Sequence, residues 1–550
     1  MAAADRLLSA LPDSVLRRVI SFLPVGDAAG TSALSGRWRA LWLQADAVNL
    51  DTRLFLEFLS IHMNAQDPTQ LHQCHWDDDS DGRVAGRLLF RDAMAAVTAA
   101  GRRPVRKLTV RVSSTTNGMD YCEKAMREPP GLDAVLAAPA TRRLEELRLG
   151  LYADFDCTCG YELPTRRLPC AASLRVLKLT GCALGPPTPL ASCHSPLANL
   201  QAVLDAAPNL ATLFLENFSF TAEEELGRDW YAVMRKRRFL LRCPASLAAV
   251  TLLHYHGTDG LDLDAPGDRF LRYKGYLEHF PFTSAATPPS GMPVNLQHAE
   301  LRFCRRCCNP PSMKARPHAK FWESIGSFGH LRFLKLKLLD INDIAVHPEQ
   351  EATLLKEFPD LKFLELKGSY ENDKRGAAVA IANFLRCCLA LQELRLKLKI
   401  HGDLYASPKG IRLSEGREAQ LDLEKSTELL KRLKSKMGTA ECNGVDDDDR
   451  LCNDVDLSAL QASSFPCLES HLWKIRLKFD LEDFNCFEVK IAKFLVENAV
   501  MLEEMQVRDG DQRVHDHIHR KLALWRANSS NSKIDIVGEK VKTRRRWWET

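Results

Sequence analysis

Leu361-Lys362-Phe363-Leu364-Glu365-Leu366 and, 30 residues later, Leu391-Gln392-Glu393-Leu394-Arg395-Leu396 are the same phrase, apolar-x-x-apolar-x-apolar. The phrase also occurs at Leu144-Leu147-Leu149, Leu174-Leu177-Leu179, Leu210-Leu213-Leu215, Leu247-Val250-Leu252 and Leu331-Leu334-Leu336. Weaker copies are Val105-Leu108-Val110, Leu296-Ala299-Leu301, Leu472-Ile475-Leu477 and Leu502-Met505-Val507. The last two apolar positions of each copy alternate with polar ones, which reads as a strand with one buried face. A helix-like run such as Ala377 to Cys388 precedes several copies. Four of the intervals between successive copies equal 30 residues, from 144 to 174, 331 to 361, 361 to 391 and 472 to 502. A strand and a helix repeated at that period cannot bury their apolar faces alone, so they must stack. The expected class is α/β, with parallel strands on one face and helices on the other.

Such a period is the signature of a leucine-rich-repeat solenoid, slightly longer than the common unit. Longer intervals mark inserted loops. The pattern lapses between Leu398 and Leu472, where a charged helical run, Ser414 to Lys436, is followed by Asp446-Asp447-Asp448-Asp449. That stretch reads as a partly disordered insertion, since few apolar residues and many like charges cannot repay ordering entropy.

Ahead of the repeats, Leu7 to Leu43 predicts three short helices. Val15, Leu16, Val19, Ile20, Phe22 and Leu23 recur at helical spacing after Pro12-Asp13-Ser14, and Leu23-Pro24 ends the run. Helices this short bury little surface. A piece with so many large apolar residues is expected to complete its core against another protein. Leu11-Pro12, Ile20-x-Phe22-Leu23-Pro24, Thr31-Ser32-x-Leu34-Ser35 and Arg37-Trp38 resemble the F-box of plant F-box proteins that carry leucine-rich repeats. Gly26 and Gly30 depart from the family, which has helix formers or an arginine in the second helix. Phe487 to Val507 resembles the C-terminal FBD module of the same proteins.

The resemblance implies a substrate receptor of a cullin ubiquitin ligase, with the F-box on a Skp-type adaptor and the repeats holding a protein for ubiquitination. Leu11, Pro12, Leu16, Ile20, Phe22, Leu23, Pro24, Leu34 and Trp38 are then the adaptor-binding residues. The expected order is an F-box over 1–50, a helical linker over 51–104 and repeats over 105–400. An insertion over 401–466, final repeats with the FBD-like module over 467–510, and a C-terminal helix and basic tail over 511–550 follow. A repeat scaffold without a ligase role, or a nucleic-acid-binding protein, are the alternative readings.

Composition frames this. The 550 residues are 45% apolar and 27% charged, with 75 basic and 71 acidic side chains. That is the make-up of a globular protein, and the near balance names no partner. No run of eighteen apolar residues offers a transmembrane helix. Without a secretory signal, the 17 cysteines read as reduced, mostly buried thiols, placing the protein in cytoplasm or nucleus. Lys540 to Trp548, KVKTRRRWW, is a short basic tail of the nuclear-localisation type. Cys304, Cys307 and Cys308 with His298 and His318 supply zinc-ligand chemistry without the spacing of known sites, and Cys157-x-Cys159 lacks partners. Asp77 to Gly82 lacks the glutamate of a calcium loop, with Leu88 at that place. No phosphate loop, metalloprotease motif or nucleophile elbow is present, so neither catalytic nor metal residues are assigned.

Side chains between and after the inward leucines face away from the helices. In the later strands these include Lys335, Lys337, Lys367, Arg395, Lys397 and Lys399, with Arg476 and Lys478 beyond and Glu365 the single acid counted. Two readings stand: a solvated face, or a binding site for an acidic degron, a phosphopeptide or a polyanion. Some plant receptors of this kind hold an inositol polyphosphate there, which the resemblance permits without assigning a cofactor. Glu365→Lys is expected to be structurally silent on this reading.

Overall fold

The computed structural model describes residues 10–51, 90–100, 102–114, 131–153, 168–181, 196–216, 239–255, 261–277, 280–282, 295–304, 317–370, 374–400, 457–461, 464–478, 486–508 and 535–536. The acidic stretch 77–82, Cys157, Cys159, Cys307, Cys308, most of the linker and of the insertion, and the basic tail lie outside them. The chain divides into two compact units, Met1–Gly275 with His279–Pro293, and Tyr276–Glu278 with Val294–Thr550.

The first unit opens with the helices α1 (Asp13–Ile20), α2 (Val25–Gly30) and α3 (Gly36–Gln44). Pro12 lies extended ahead of α1 and accepts the amides of Val15 and Leu16 through its carbonyl. The Ser35 side chain caps α3 by accepting from the Trp38 amide. Arg37 ties the ends together, donating to Asp13 at 2.7 Å and to the Leu11 carbonyl at 2.7 Å. Leu16, Ile20, Ala28, Leu41 and Ala45 form the core, with Leu11, Leu23, Trp38 and Trp42 packed on it. Both departures from the family lie on open ground, because a Cβ at Gly26 or Gly30 would meet nothing within 4 Å. Glycine inside a helix costs about 1 kcal/mol relative to alanine. Gly26→Ala should therefore stabilise this module by up to about that amount, read as a raised urea midpoint.

The sheet follows at once. Strands β1 (Ala47–Asp51), β2 (Lys107–Ser114), β3 (Glu146–Ala153), β4 (Val176–Thr180) and β5 (Thr212–Glu216) pair in parallel, in chain order. The sheet continues through β7 (Ala249–Tyr255) and β9 (Phe270–Tyr276), while β6 (Phe239–Arg242) and β8 (Leu261–Asp264) form a separate parallel pair. The register stacks Val48, Leu108, Leu147, Leu177, Leu213, Val250 and Leu271 in one buried row. The sheet thus begins at Ala47, ahead of the expected 105. Two strands of this main sheet escape the sequence phrase because their first position is not large and apolar: Ala45 precedes Val48 and Leu50, and Asp268 precedes Leu271 and Tyr273. The helical module is fastened to this sheet. Asn49 of β1 donates to the carbonyls of Ser21 and Leu23, and Arg102 donates to those of Trp42 and Ala47.

The second unit carries β10 (His298–Cys304), β11 (Phe333–Asp340), β12 (Phe363–Tyr370), β13 (Glu393–Ile400), β14 (Lys474–Lys478), β15 (Glu504–Arg508) and β16 (Asp535–Ile536), again parallel and in chain order. Ala299, Leu334, Leu364, Leu394, Ile475 and Met505 form one inward row, each fully buried. Helix Lys374–Cys387 is buried along most of its length, and Asn383 in it accepts from the Val346 amide at 2.9 Å. Trp322, from helix Pro317–Ile325, packs against Phe321 and Phe384 and donates to the Ile344 carbonyl at 2.8 Å. Because β13 pairs directly with β14, the residues between them are an insertion at one sheet position. Its last part belongs to the core: Leu460 is buried, and Arg386 donates to the Ala459 carbonyl. Helix Cys486–Asn498 followed by β15 is the helix-then-strand order expected at the end. Among the described residues no helix is long and apolar enough to cross a membrane.

Candidate functional site

Helix α1 is apolar on two sides. Leu16 and Ile20 point inward and are fully buried, so they hold the module together from inside. Leu11, Leu23 and Trp38 are half-buried against that core, Pro24 is half-buried, and Pro12 is exposed. The other side carries Val15 and Val19, one helical turn apart, and Phe22 in the turn that follows; the first two are 42% exposed and Phe22 68%. Leu34, after α2, is 66% exposed. Several exposed apolar side chains of that size on one small module are the mark of a surface made for a partner. Of the predicted adaptor residues, Pro12, Phe22 and Leu34 are therefore directly available. Val15 and Val19 join them; the heptad-like spacing of positions 15, 19 and 22 was the signal for that second stripe.

On the second unit's sheet the face away from the helices is organised in files, because parallel pairing sets equivalent residues side by side about 4.8 Å apart. The first file runs His298, Phe333, Phe363, Glu393, Lys474 and Glu504. Its rings stack, His298 on Phe333 at 3.9 Å and Phe333 on Phe363 at 4.1 Å. The Arg395 guanidinium covers the Phe363 ring at 4.7 Å. The middle file is Glu300, Lys335, Glu365, Arg395, Arg476 and Gln506. The third is basic throughout: Arg302, Lys337, Lys367, Lys397, Lys478 and Arg508.

The predicted substrate residues thus divide. Lys337, Lys367 and Lys397 share the basic file, Lys335 and Arg395 sit in the mixed one, and Lys399 lies opposite Ser369 at the end of β13. Carboxylates from neighbouring strands thread the face. Lys335 meets Glu300 at 2.9 Å, Lys397 meets Glu365 at 2.5 Å, and Arg395 meets Glu393 at 2.7 Å and Glu365 at 3.8 Å. Arg476 reaches Glu393 at 3.6 Å, and Lys474 pairs with Glu504. Glu300 and Glu393 were absent from the sequence count, although their positions follow from the same alternation. The face remains positive, since Glu365 and Glu393 each serve two cations.

The remaining reactive side chains have structural places. His298 is stacked as described, and His318 pairs with Gln350 at 3.1 Å. Cys304 is half-buried at the end of β10. Burial pushes the thiols of Cys243, Cys387 and Cys467 up to about 12, and that of Cys388 well above its ordinary value. Such thiols stay protonated and unreactive at neutral pH.

Comparison with known proteins agrees with this geometry. The F-box domain family matches residues 8–46, which contain all three N-terminal helices. An F-box/FBD/LRR-repeat protein of Arabidopsis thaliana is 30% identical over 237 residues, covering 39% of this chain and 50% of the relative. An FBD-associated F-box protein of the same plant is 39% identical over 56 residues, 10% of this chain and 12% of the relative. An F-box/LRR-repeat protein, also from Arabidopsis thaliana, is 27% identical over 112 residues, 20% of this chain and 24% of the relative. The matched stretches span half or less of these relatives' own lengths. An F-box thus precedes a parallel α/β repeat fold, and the chain is similar to plant F-box proteins with leucine-rich repeats and an FBD module.

Proposed function

We propose that this protein is a non-catalytic substrate receptor of a cullin ubiquitin ligase. Its F-box docks on a Skp-type adaptor, and its repeats hold the protein to be ubiquitinated. The observation that carries the reading is the uncovered apolar stripe of Val15, Val19 and Phe22, with Leu34, none of which takes part in the module's own core. Burial of one such side chain contributes about 1.5–3 kcal/mol. Receptor and substrate held on one frame raise the local concentration of a substrate lysine near the conjugating enzyme, and that needs no catalytic group on this chain.

The test follows from the division of α1 into two faces. Truncating Leu11 would disturb the module's own packing together with any contact. Phe22→Ala with Leu34→Ala shortens side chains that are mostly exposed and lie outside the module's core. The double variant should keep its helical circular dichroism and lose adaptor binding by tenfold or more, which corresponds to about 1.4 kcal/mol. Undiminished capture of the adaptor by the folded variant would refute the docking role.

A further inference from the structure

We propose that the outer sheet face of the second unit binds an extended acidic segment of the captured protein, laid across the strands along the file Arg302, Lys337, Lys367, Lys397 and Lys478. This rests on the receptor reading for the source of the segment and on the sheet alone for its chemistry. Five cations stand in register on β10 to β14. Arg302 and Lys478 are exposed at the two ends, and the three lysines between are half-buried. Like charges facing each other on adjacent strands repel. The carboxylates of this face lie in the other two files, where Glu393 is shared between Arg395 and Arg476, and Glu365 between Arg395 and Lys397 of this file. An anion set along the third file, which holds no carboxylate at these five places, is steered there by the excess positive charge.

The same file on the first unit's sheet gives the contrast. It reads Asp51, Arg111, Gly150, Thr180, Glu216 and Leu253, close to neutral, with Arg111 facing Asp51 at 3.8 Å. The strand-and-helix frame therefore does not require basic residues at this position. From Arg302 to Lys478 is four strand spacings, roughly 19 Å. About six residues of extended chain cover that distance, and their alternate side chains face one way. The ligand that fits carries carboxylates or phosphates at alternate positions of a six-residue stretch.

The aromatic file selects a peptide over a nucleic acid. Single-stranded RNA and DNA are held largely by bases stacked on open aromatic faces. Here Phe333 is sandwiched between His298 and Phe363, and the second face of Phe363 is taken by Arg395. The ring edges remain half-exposed and offer apolar contact to a peptide side chain.

Fluorescence anisotropy on the full chain tests this with three labelled probes: a decapeptide of alternating serine and glutamate, the same peptide with glutamine for glutamate, and a ten-nucleotide oligouridine. The acidic peptide should bind, and binding should weaken as salt rises, because exposed charges are screened beyond about 8 Å at physiological ionic strength. Lys337→Gln, Lys367→Gln and Lys397→Gln together should weaken it by at least about tenfold while adaptor capture is unchanged. Arg302→Gln with Lys478→Gln, at the exposed ends, should weaken it in the same direction without touching the Lys397 to Glu365 pair. Failure of the acidic peptide to bind, equal binding of the neutral peptide, indifference to both variant sets, or tighter binding of the oligouridine would each overturn the proposal. Loss of adaptor capture by wild-type protein that still binds the acidic peptide would instead strike at the receptor reading and leave this face standing.

Discussion

Leu364→Asp should leave the second unit unfolded, seen as rapid proteolysis within residues 294–508 and loss of strand signal in circular dichroism. Leu364 is fully buried in β12, between Leu334 of β11 and Leu394 of β13. Truncation to alanine alone should cost about 2–5 kcal/mol. An unpaired carboxylate in the same place must either desolvate or take up a proton, and either adds to that cost. Domains are stable by roughly 5–15 kcal/mol in all, so one such change consumes most of the margin. Because each repeat is supported by its neighbours, loss of β12 also uncovers the strands on both sides. The adjacent Glu365 is the control, with a correction to the sequence expectation. It accepts Lys397 at 2.5 Å and faces Arg395 at 3.8 Å. Glu365→Lys would place a cation among Lys335, Arg395 and Lys397, so it is not silent. It should cost roughly 0.2–1 kcal/mol for each charge pair lost, leaving the fold intact. Equal tolerance of the two substitutions would contradict the register.

That pair of variants shows what the sequence carries and what it does not. Leu364 is legible because the phrase recurs at 30-residue intervals through β11, β12 and β13, and Leu364 holds the same place in it as Leu334 and Leu394. Glu365 is legible as outward-facing, but its energetic role is not. Its partners come from β13, and cross-strand pairing depends on register between segments 30 residues apart. For the same reason a count of basic residues overstated the free charge of the face, since Glu300 and Glu393 approach from neighbouring strands. The F-box shows the complementary limit. Spacing reveals that α1 is apolar along positions 16, 20 and 23 and along 15, 19 and 22. Only packing shows that the first stripe is covered by α3 while the second stays open. Strands β1 and β9 were missed because Ala45 and Asp268 occupy a place where every clear copy of the phrase has leucine.

Asp268 turns that local violation into a measurable pH dependence. Its side chain is fully buried at the leucine position ahead of β9. The preceding Gly267 is pressed so close to the carbonyls of Ala245 and Leu247 that a Cβ there would collide with them. The backbone just ahead of the carboxyl is therefore packed directly on the Ala245–Leu247 backbone. The Phe270 amide donates to Oδ1 at 3.2 Å, while Oδ2 is buried with no hydrogen-bond partner of good geometry. Burial pushes the carboxyl up to about 8, against the pull of the backbone amides of Phe270, Val250 and Arg269. In the unfolded chain an aspartate titrates near 3.9, at about 1.4 kcal/mol per unit of difference. Below about pH 4 both states hold the proton and the group costs nothing by ionisation. Between about 4 and about 8 the unfolded chain gives up the proton and the folded one keeps it, so stability falls as pH rises; above about 8 the slope from this group ends. Asp268→Asn keeps the acceptor for Phe270, supplies a neutral donor in place of Oδ2 and cannot ionise. Urea midpoints at pH 5 and pH 8.5 should show a small difference between wild type and variant at the lower pH. The variant should gain by a few kcal/mol at the higher pH, an order of magnitude set by the size of the shift. Parallel decline of the two proteins between those pH values would mean that the folded carboxyl is already ionised, and the buried acid would then have to be solvated through motion of the Gly267 turn.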